Sequence, residues 1–289
     1  MAFGGLRVLS LESRRAKEME ALIRREGGDP FVAPSVEERA LDDQHEALDF
    51  VDRVGAGEFD LVVCMTGAGL AFLRDVAAAN GRAETLARGL QSVFIVSRGP
   101  KPLPILREMG AKAHVVVPEP NTWKEVVEAV AARGARRIAV QEYGRPNEEM
   151  NVALRALGAQ VECFAIYRWD LPADLQPLVE AVRRMATRDV DVALFTSSIQ
   201  LDHLFRIAEQ RGFLAEVRSA LQEHTAIASV GPIMTDAITA AGLLTDIVPT
   251  HPKMAALVKA AAEGAGAALA RKRSAELTSQ RGPTTHPSA

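Results

Sequence analysis

The run Val190-Asp-Val-Ala-Leu-Phe195 is followed by Thr196-Ser197-Ser198, then by Ile199, Leu201, Leu204, Phe205 and Ala208 at helical spacing. A short, nearly all-apolar run marks a strand buried on both faces of a parallel sheet. Small hydroxylated residues at its end cap a helix. The same order recurs at Asp60-Leu-Val-Val-Cys-Met-Thr66-Gly67-Ala-Gly-Leu-Ala-Phe-Leu73. Asp60 and Asp191 are 131 positions apart, which sets Thr66 on Ser197, Leu70 on Leu201 and Leu73 on Leu204. Ser97-Arg98-Gly99-Pro100 answers Ser229-Val230-Gly231-Pro232, Pro118 answers Pro249, and Arg7 to Gly28 answers Arg137 to Gly158. Two copies of one array are too few for a solenoid, so the repetition predicts two similar lobes facing a cleft.

Strands are expected at Leu6–Ser10, Leu61–Cys64, Val93–Val96, Val115–Val117, Ile138–Gln141, Val161–Tyr167, Ala226–Ser229 and Ile247-Val248, alternating with helices. That alternation predicts an α/β fold with parallel sheets. Met254 to Ala268 reads as a final Ala-rich helix. Residues 269–289, rich in Arg, Lys, Ser, Thr, Pro and Gln, read as a disordered tail.

Several functions are excluded at this level. A net charge of −3 gives no global basic field for nucleic acid. No apolar run is long enough to span a bilayer, and no secretory apolar region precedes the first strand. Two cysteines, Cys64 and Cys163, without a C-x-x-C fit a reducing cytosol, so a cytoplasmic protein is expected. The six histidines are scattered with no H-x-x-x-H pair, and no Walker loop or G-x-S-x-G elbow occurs. Gly67-Ala-Gly69 is half of a dinucleotide fingerprint lacking its third glycine. No metal and no cofactor are expected.

What remains is a set of turns after strands: Thr66-Gly67, Arg98-Gly99-Pro100-Lys101, Tyr143-Gly144-Arg145, Thr196-Ser197-Ser198 and Gly231-Pro232. In open α/β sheets ligands sit at the carboxyl ends of the strands. Main-chain N–H groups with Arg and Lys, and no nucleophile–base pair, suit a ligand bearing several carboxylates.

The chain resembles the uroporphyrinogen-III synthase family over nearly its whole length, to about Ala268. The resemblance rests on Phe195-Thr-Ser-Ser198, on Val230-Gly-Pro232 before a helix ending in Ala241-Gly242, on Ile247-Val-Pro249, and on Gly158-Ala-Gln-Val-Glu-Cys-Phe-Ala-Ile-Tyr167-Arg168. It implies a cofactor-free cytosolic lyase, a monomer, that cyclises hydroxymethylbilane to uroporphyrinogen III with inversion of ring D. It also implies two flavodoxin- or Rossmann-like domains joined by a two-stranded hinge. These are residues 1–34 with 172–268, and residues 37–168. By the same resemblance Tyr167 is the catalytic hydrogen-bond donor. The turns after the strands, taken together with the resemblance, make Thr66, Gly67, Arg98, Lys101, Arg145, Thr196, Ser197, Ser198, Gly231 and Thr235 the expected substrate-binding residues. The chain departs from the family pattern in two places. Leu11-Glu12 stands for the usual Thr-Arg, and Gly231-Pro-Ile-Met234 displaces the usual threonine to Thr235. A non-catalytic two-lobed domain that senses a tetrapyrrole or another anion is the alternative expectation.

Overall fold

The computed structural model describes residues 2–142, 144 and 146–280, with side chains for all of these but 275–280. The chain begins with β1 (Arg7–Ser10), α1 (Ala16–Arg25), β2 (Asp29–Val32) and β3 (Glu37–Ala40). Then come α2 (His45–Gly55), β4 (Leu61–Cys64), α3 (Gly67–Ala79), α4 (Ala83–Ser92), β5 (Phe94–Ser97), α5 (Leu103–Glu108) and β6 (Val115–Val116). α6 (Trp123–Arg133), β7 (Arg137–Gln141), α7 (Glu148–Ala156), β8 (Gln160–Phe164) and β9 (Tyr167–Asp170) follow. The last third holds α8 (Gln176–Ala186), β10 (Val192–Phe195), α9 (Ser198–Gln210), α10 (Leu214–Glu223), β11 (Ala226–Ser229), α11 (Pro232–Ala240) and α12 (Met254–Gln280).

Two compact units result, Met1–Glu37 with Leu171–Ala289, and Glu38–Asp170. The sheet of the first runs β11-β10-β1-β2, all parallel, and a parallel bridge from Ala228 to Ile247 adds a position beyond β11. The sheet of the second runs β6-β5-β4-β7-β8, also parallel. Matched at the sequence offset, β4 answers β10, β5 answers β11, β7 answers β1 and β8 answers β2. The two orders are then the same, the flavodoxin-like 2-1-3-4-5. In the second unit the first strand pair simply comes last in the segment. The strand expected at Ile247-Val248 is reduced to the single bridge, since Pro249 has no N–H to extend a ladder.

The repeated Asp and Arg have a structural use. Asp191 accepts from the Arg7 backbone N–H at 2.9 Å and from its Nη2 at 2.8 Å, joining the starts of β10 and β1. Asp60 accepts from the Arg137 backbone N–H at 2.8 Å, joining β4 and β7 in the same way. The central strands are buried throughout, as parallel strands covered on both faces must be. In the second unit Phe50, Leu73 and Leu86 pack on one face of the sheet, and Val126, Val130 and Leu154 on the other.

Two expectations need correction. The single strand Val161–Tyr167 is two, β8 and β9, because the ladder with β7 ends at Phe164. Ile166 then turns into the core, its carbonyl accepts from Leu41 N–H at 3.0 Å, and β9 pairs with β3. The final helix does not stop at Ala268: α12 continues to Gln280, so residues 269–280 are helical, not a disordered tail. The physical reason is Lys272, nearly buried, whose Nζ donates to the Leu221 carbonyl at 2.7 Å and the Gln222 carbonyl at 3.1 Å and lies 3.2 Å from Asp246 Oδ2. Its ammonium caps the C-terminal end of α10, where the helix dipole favours a cation. Residues 281–289 lie outside the described residues.

Candidate active site

In a sheet of order 2-1-3-4-5 the chain leaves strands 1 and 3 in opposite directions, and the crevice outside their carboxyl ends receives ligand. In the second unit those strands are β7 and β4, ending at Gln141-Glu142 and Met65-Thr66-Gly67. In the first they are β1 and β10, ending at Leu11-Glu12 and Thr196-Ser197-Ser198.

Thr66 is the N-cap of α3, extended, with Oγ1 accepting from Gly69 N–H at 3.0 Å. Its own N–H donates to Gln141 Oε1 at 3.0 Å, and Gln141 Nε2 donates to the Glu142 carbonyl. Tyr167 Oη lies 3.2 Å from Thr66 Oγ1, and its ring stacks on Phe72 with centroids 5.7 Å apart. Tyr167 is buried, so its hydroxyl is a positioned group and not a solvated one. Gly67 is required by close approach: a Cβ there would stand 2.5 Å from the Lys101 carbonyl oxygen. Arg98 N–H donates to the Cys64 carbonyl at 3.0 Å, which carries the β5 turn alongside the end of β4. Thr66, Gly67, Lys101 and Tyr167 are therefore brought together, and Arg98 is joined to the neighbouring strand end. Arg145 lies outside the described residues, as does Tyr143.

In the first unit Gln200, buried on α9, uses both ends of its side-chain amide. Its Oε1 accepts from Thr196 N–H at 2.8 Å and Ser197 N–H at 3.4 Å. Its Nε2 donates to Thr196 Oγ1 at 2.8 Å and to the Leu11 carbonyl at 3.3 Å. Thr196 Oγ1 in turn donates to Glu12 Oε2 at 2.7 Å. Ser197 is the N-cap of α9 and Ser198 its first residue. Gly231 is the N-cap of α11, and Pro232 occupies the first turn, where a missing N–H is harmless. Thr235 Oγ1 donates to the Gly231 carbonyl at 3.2 Å and lies 2.6 Å from Ser229 Oγ, while Met234 is buried in the core. The residue one place before Thr235 is thus a packing residue.

Sequence reasoning passed over Gln141 and Gln200, and marked Glu12 only as a departure from the family pattern. Gln200 was accessible to it, since Ser197-x-x-Gln200 has capping-box spacing. Behind the second unit's turn, Glu142 is pushed up from the ordinary carboxylate range by burial, and accepts from Asn151 Nδ2 at 3.3 Å. Burial likewise pushes the Cys64 thiol up to about 12, and burial together with Glu142 does the same to Cys163. Neither cysteine has the character of a nucleophile. Among the described residues no group of three His, Cys, Asp or Glu side chains converges as a metal site would. No helix among them is long and apolar enough to cross a membrane.

The family model for uroporphyrinogen-III synthase HemD matches residues 17–259. A Bacillus subtilis (strain 168) protein described as uncharacterized protein YjjA is 26% identical over 257 residues, 88% of this chain and 94% of its own. A crystal structure of a mutant uroporphyrinogen III synthase from the extremely thermophilic bacterium Thermus thermophilus is similar at 25% identity and TM-score 0.69, covering 92% of this chain and 100% of that one. The wild-type Thermus thermophilus enzyme in a second crystal form is similar at 25% identity and TM-score 0.51, covering 94% and 100%.

Proposed function

Because the chain belongs to the uroporphyrinogen-III synthase family, we propose that it cyclises hydroxymethylbilane to uroporphyrinogen III with inversion of ring D. The observation that carries this reading is the family match over residues 17–259. The turns at the carboxyl ends of both sheets support it, being rich in hydroxyl and N–H groups. The substrate makes its own electrophile: the C–O bond of the hydroxymethyl group breaks with its electron pair going to oxygen, which takes a proton and leaves as water. The pyrrole nitrogen lone pair then forms the exocyclic double bond of an azafulvenium cation. Ring D attacks that carbon through its substituted position, and the spiro intermediate fragments and recloses with loss of a proton. The protein must hold the chain so that this closure outruns the simple one, a matter of positioning.

In this reading Tyr167, fixed against Thr66, donates the hydrogen bond that helps the hydroxyl leave. The N–H groups at Gly67, Ser198 and Gly231, the Ser197 and Thr235 hydroxyls, and Arg98, Lys101 and Arg145 meet the substrate carboxylates. Thr196 acts through Glu12. The reaction is assigned to the cytoplasm, a reading supported by two free cysteines. The test is to supply hydroxymethylbilane and resolve the isomers of the oxidised product. Excess type III over the spontaneous reaction supports the reading, and type I alone refutes it.

A further inference from the structure

Glu12 is out of place in a site for a polycarboxylate. It follows β1 at the switch point of the first unit, where a substrate carboxylate would gain most, and it brings a negative charge there. Its position is fixed from both sides: Oε1 accepts from Arg15 N–H at 3.2 Å, and Oε2 accepts from Thr196 Oγ1 at 2.7 Å. Gln200 completes the arrangement. By donating to Thr196 Oγ1 it commits that hydroxyl's own proton to Glu12. Each carboxylate oxygen still has a second lone pair to offer, and Glu12 is only partly buried.

The second unit supplies the contrast. The residue 130 positions on is Glu142, at the equivalent strand end, but it is buried and bonded to Asn151. A strand-end glutamate therefore has an internal use in one sheet. In the other it is held by two donors and is only partly buried. A fixed carboxylate that repels the substrate's own carboxylates is a poor ground-state binder. It suits the one positive charge the reaction creates.

Resting on the synthase reading, we propose that Glu12 is a catalytic carboxylate that faces the pyrrole losing its hydroxymethyl oxygen and stabilises the azafulvenium cation. As the C–O electron pair leaves with oxygen, positive charge spreads over the pyrrole nitrogen and ring. Glu12 accepts from the pyrrole N–H, whose hydrogen becomes more acidic as that charge grows. The interaction is stronger in the transition state than in the ground state, as catalysis requires. Thr196 and Gln200 are positioning residues that aim it.

The test is steady-state kinetics of Glu12→Gln, which removes the charge and keeps one side-chain oxygen to accept from Thr196, at the expense of the acceptor for Arg15 N–H. Loss of one preorganised electrostatic group costs on the order of a hundredfold in kcat in enclosed sites, and about tenfold is expected at this partly open one. KM should fall along with kcat, because the charge that repels substrate carboxylates is gone, and the difference in KM should shrink at high salt. Glu12→Asp should recover part of kcat. An unchanged kcat in Glu12→Gln, or a raised KM alone, overturns the proposal while the wild type still makes type III product. Type I product alone from the wild type overturns both readings. Should Glu12→Gln fail to fold, Thr196→Val serves: lowered kcat without lowered KM supports the assignment, and wild-type kcat overturns it.

Discussion

Replacing Gly69 by alanine should damage the second unit, although alanine is ordinarily the better helix former. Gly69 lies within α3 at the third helical position, and the Cβ of an alanine would fall on the side-chain amide of Gln141. Helix propensity alone would stabilise the variant by about 1 kcal/mol. Against that, forcing a carbon into a filled site costs about 1–3 kcal/mol. Gln141 can escape only by releasing Thr66 N–H, and leaving that donor unpaired costs about 1–3 kcal/mol more. The central estimate is a net loss of about 3 kcal/mol. In a unit of this size that lowers the midpoint of its thermal transition by roughly 6–12 °C. The assay is thermal unfolding followed by circular dichroism, with kcat/KM measured in parallel. Because Thr66 holds the Tyr167 hydroxyl, kcat/KM should fall about tenfold as well. A variant as stable as the wild type, or more stable by the propensity increment, would refute the reasoning, since Gln141 would then not be fixed where α3 needs glycine.

Three further outcomes are expected. Tyr167→Phe should lower turnover about tenfold and stability by about 1 kcal/mol, because the lost hydroxyl lies in a buried contact with Thr66; wild-type turnover and isomer ratio would show that the hydroxyl is not the donor. Lys272→Met should cost about 2–3 kcal/mol, since it uncaps α10 and leaves Asp246 with the Ile227 N–H, at 2.9 Å, and a distant Arg271; an unchanged urea midpoint would contradict the anchoring of α12. Asp191 is held below the ordinary carboxylate range chiefly by its hydrogen bond to Arg7, and Asp60 chiefly by the Arg137 backbone N–H. A depressed carboxylate stabilises fully above its unfolded value of about 4 and loses that contribution as pH falls through the folded one. Urea midpoints should therefore decline below about pH 4, and less steeply in Asp191→Asn; equal slopes would remove Asp191 from the acid response.

The doubling of the βα array was legible because each strand ends in a motif with local physical meaning. A buried run such as Leu61–Cys64 stops at a cap such as Thr66, and neither signal needs distant contacts to be read. Elements held by partners far away in sequence were harder. Leu269 and Lys272 look like the start of a solubilising tail, and only the carbonyls of Leu221 and Gln222 make them helix. Val161 to Tyr167 reads as one strand because the alternation does not say where β7 ends. The turns of the site were visible, but not the amides that hold them. Gln141 reads as the last residue of a strand, and only the fold brings its carbonyl to Thr66 N–H, 75 residues earlier.

The two switch points solve one problem with the parts exchanged. Aligned at the repeat, Leu11 answers Gln141 and Gln200 answers Gly69. In the first unit a leucine ends the strand and the glutamine stands on the helix. In the second the glutamine ends the strand and the helix retreats to glycine to make room for it. Either way a buried side-chain carbonyl accepts an N–H at the start of the helix, Ser197 in one unit and Thr66 in the other. A buried N–H left without a partner costs about 1–3 kcal/mol, so each unit must provide an acceptor, but nothing dictates which element carries it. The exchange has a chemical consequence. In the first unit the glutamine's remaining donor reaches Thr196 and through it Glu12. In the second it is used up on the Glu142 carbonyl. Two sheets of the same order therefore present different chemistry, a partly buried carboxylate held by a threonine in one and a phenol seated on a threonine in the other.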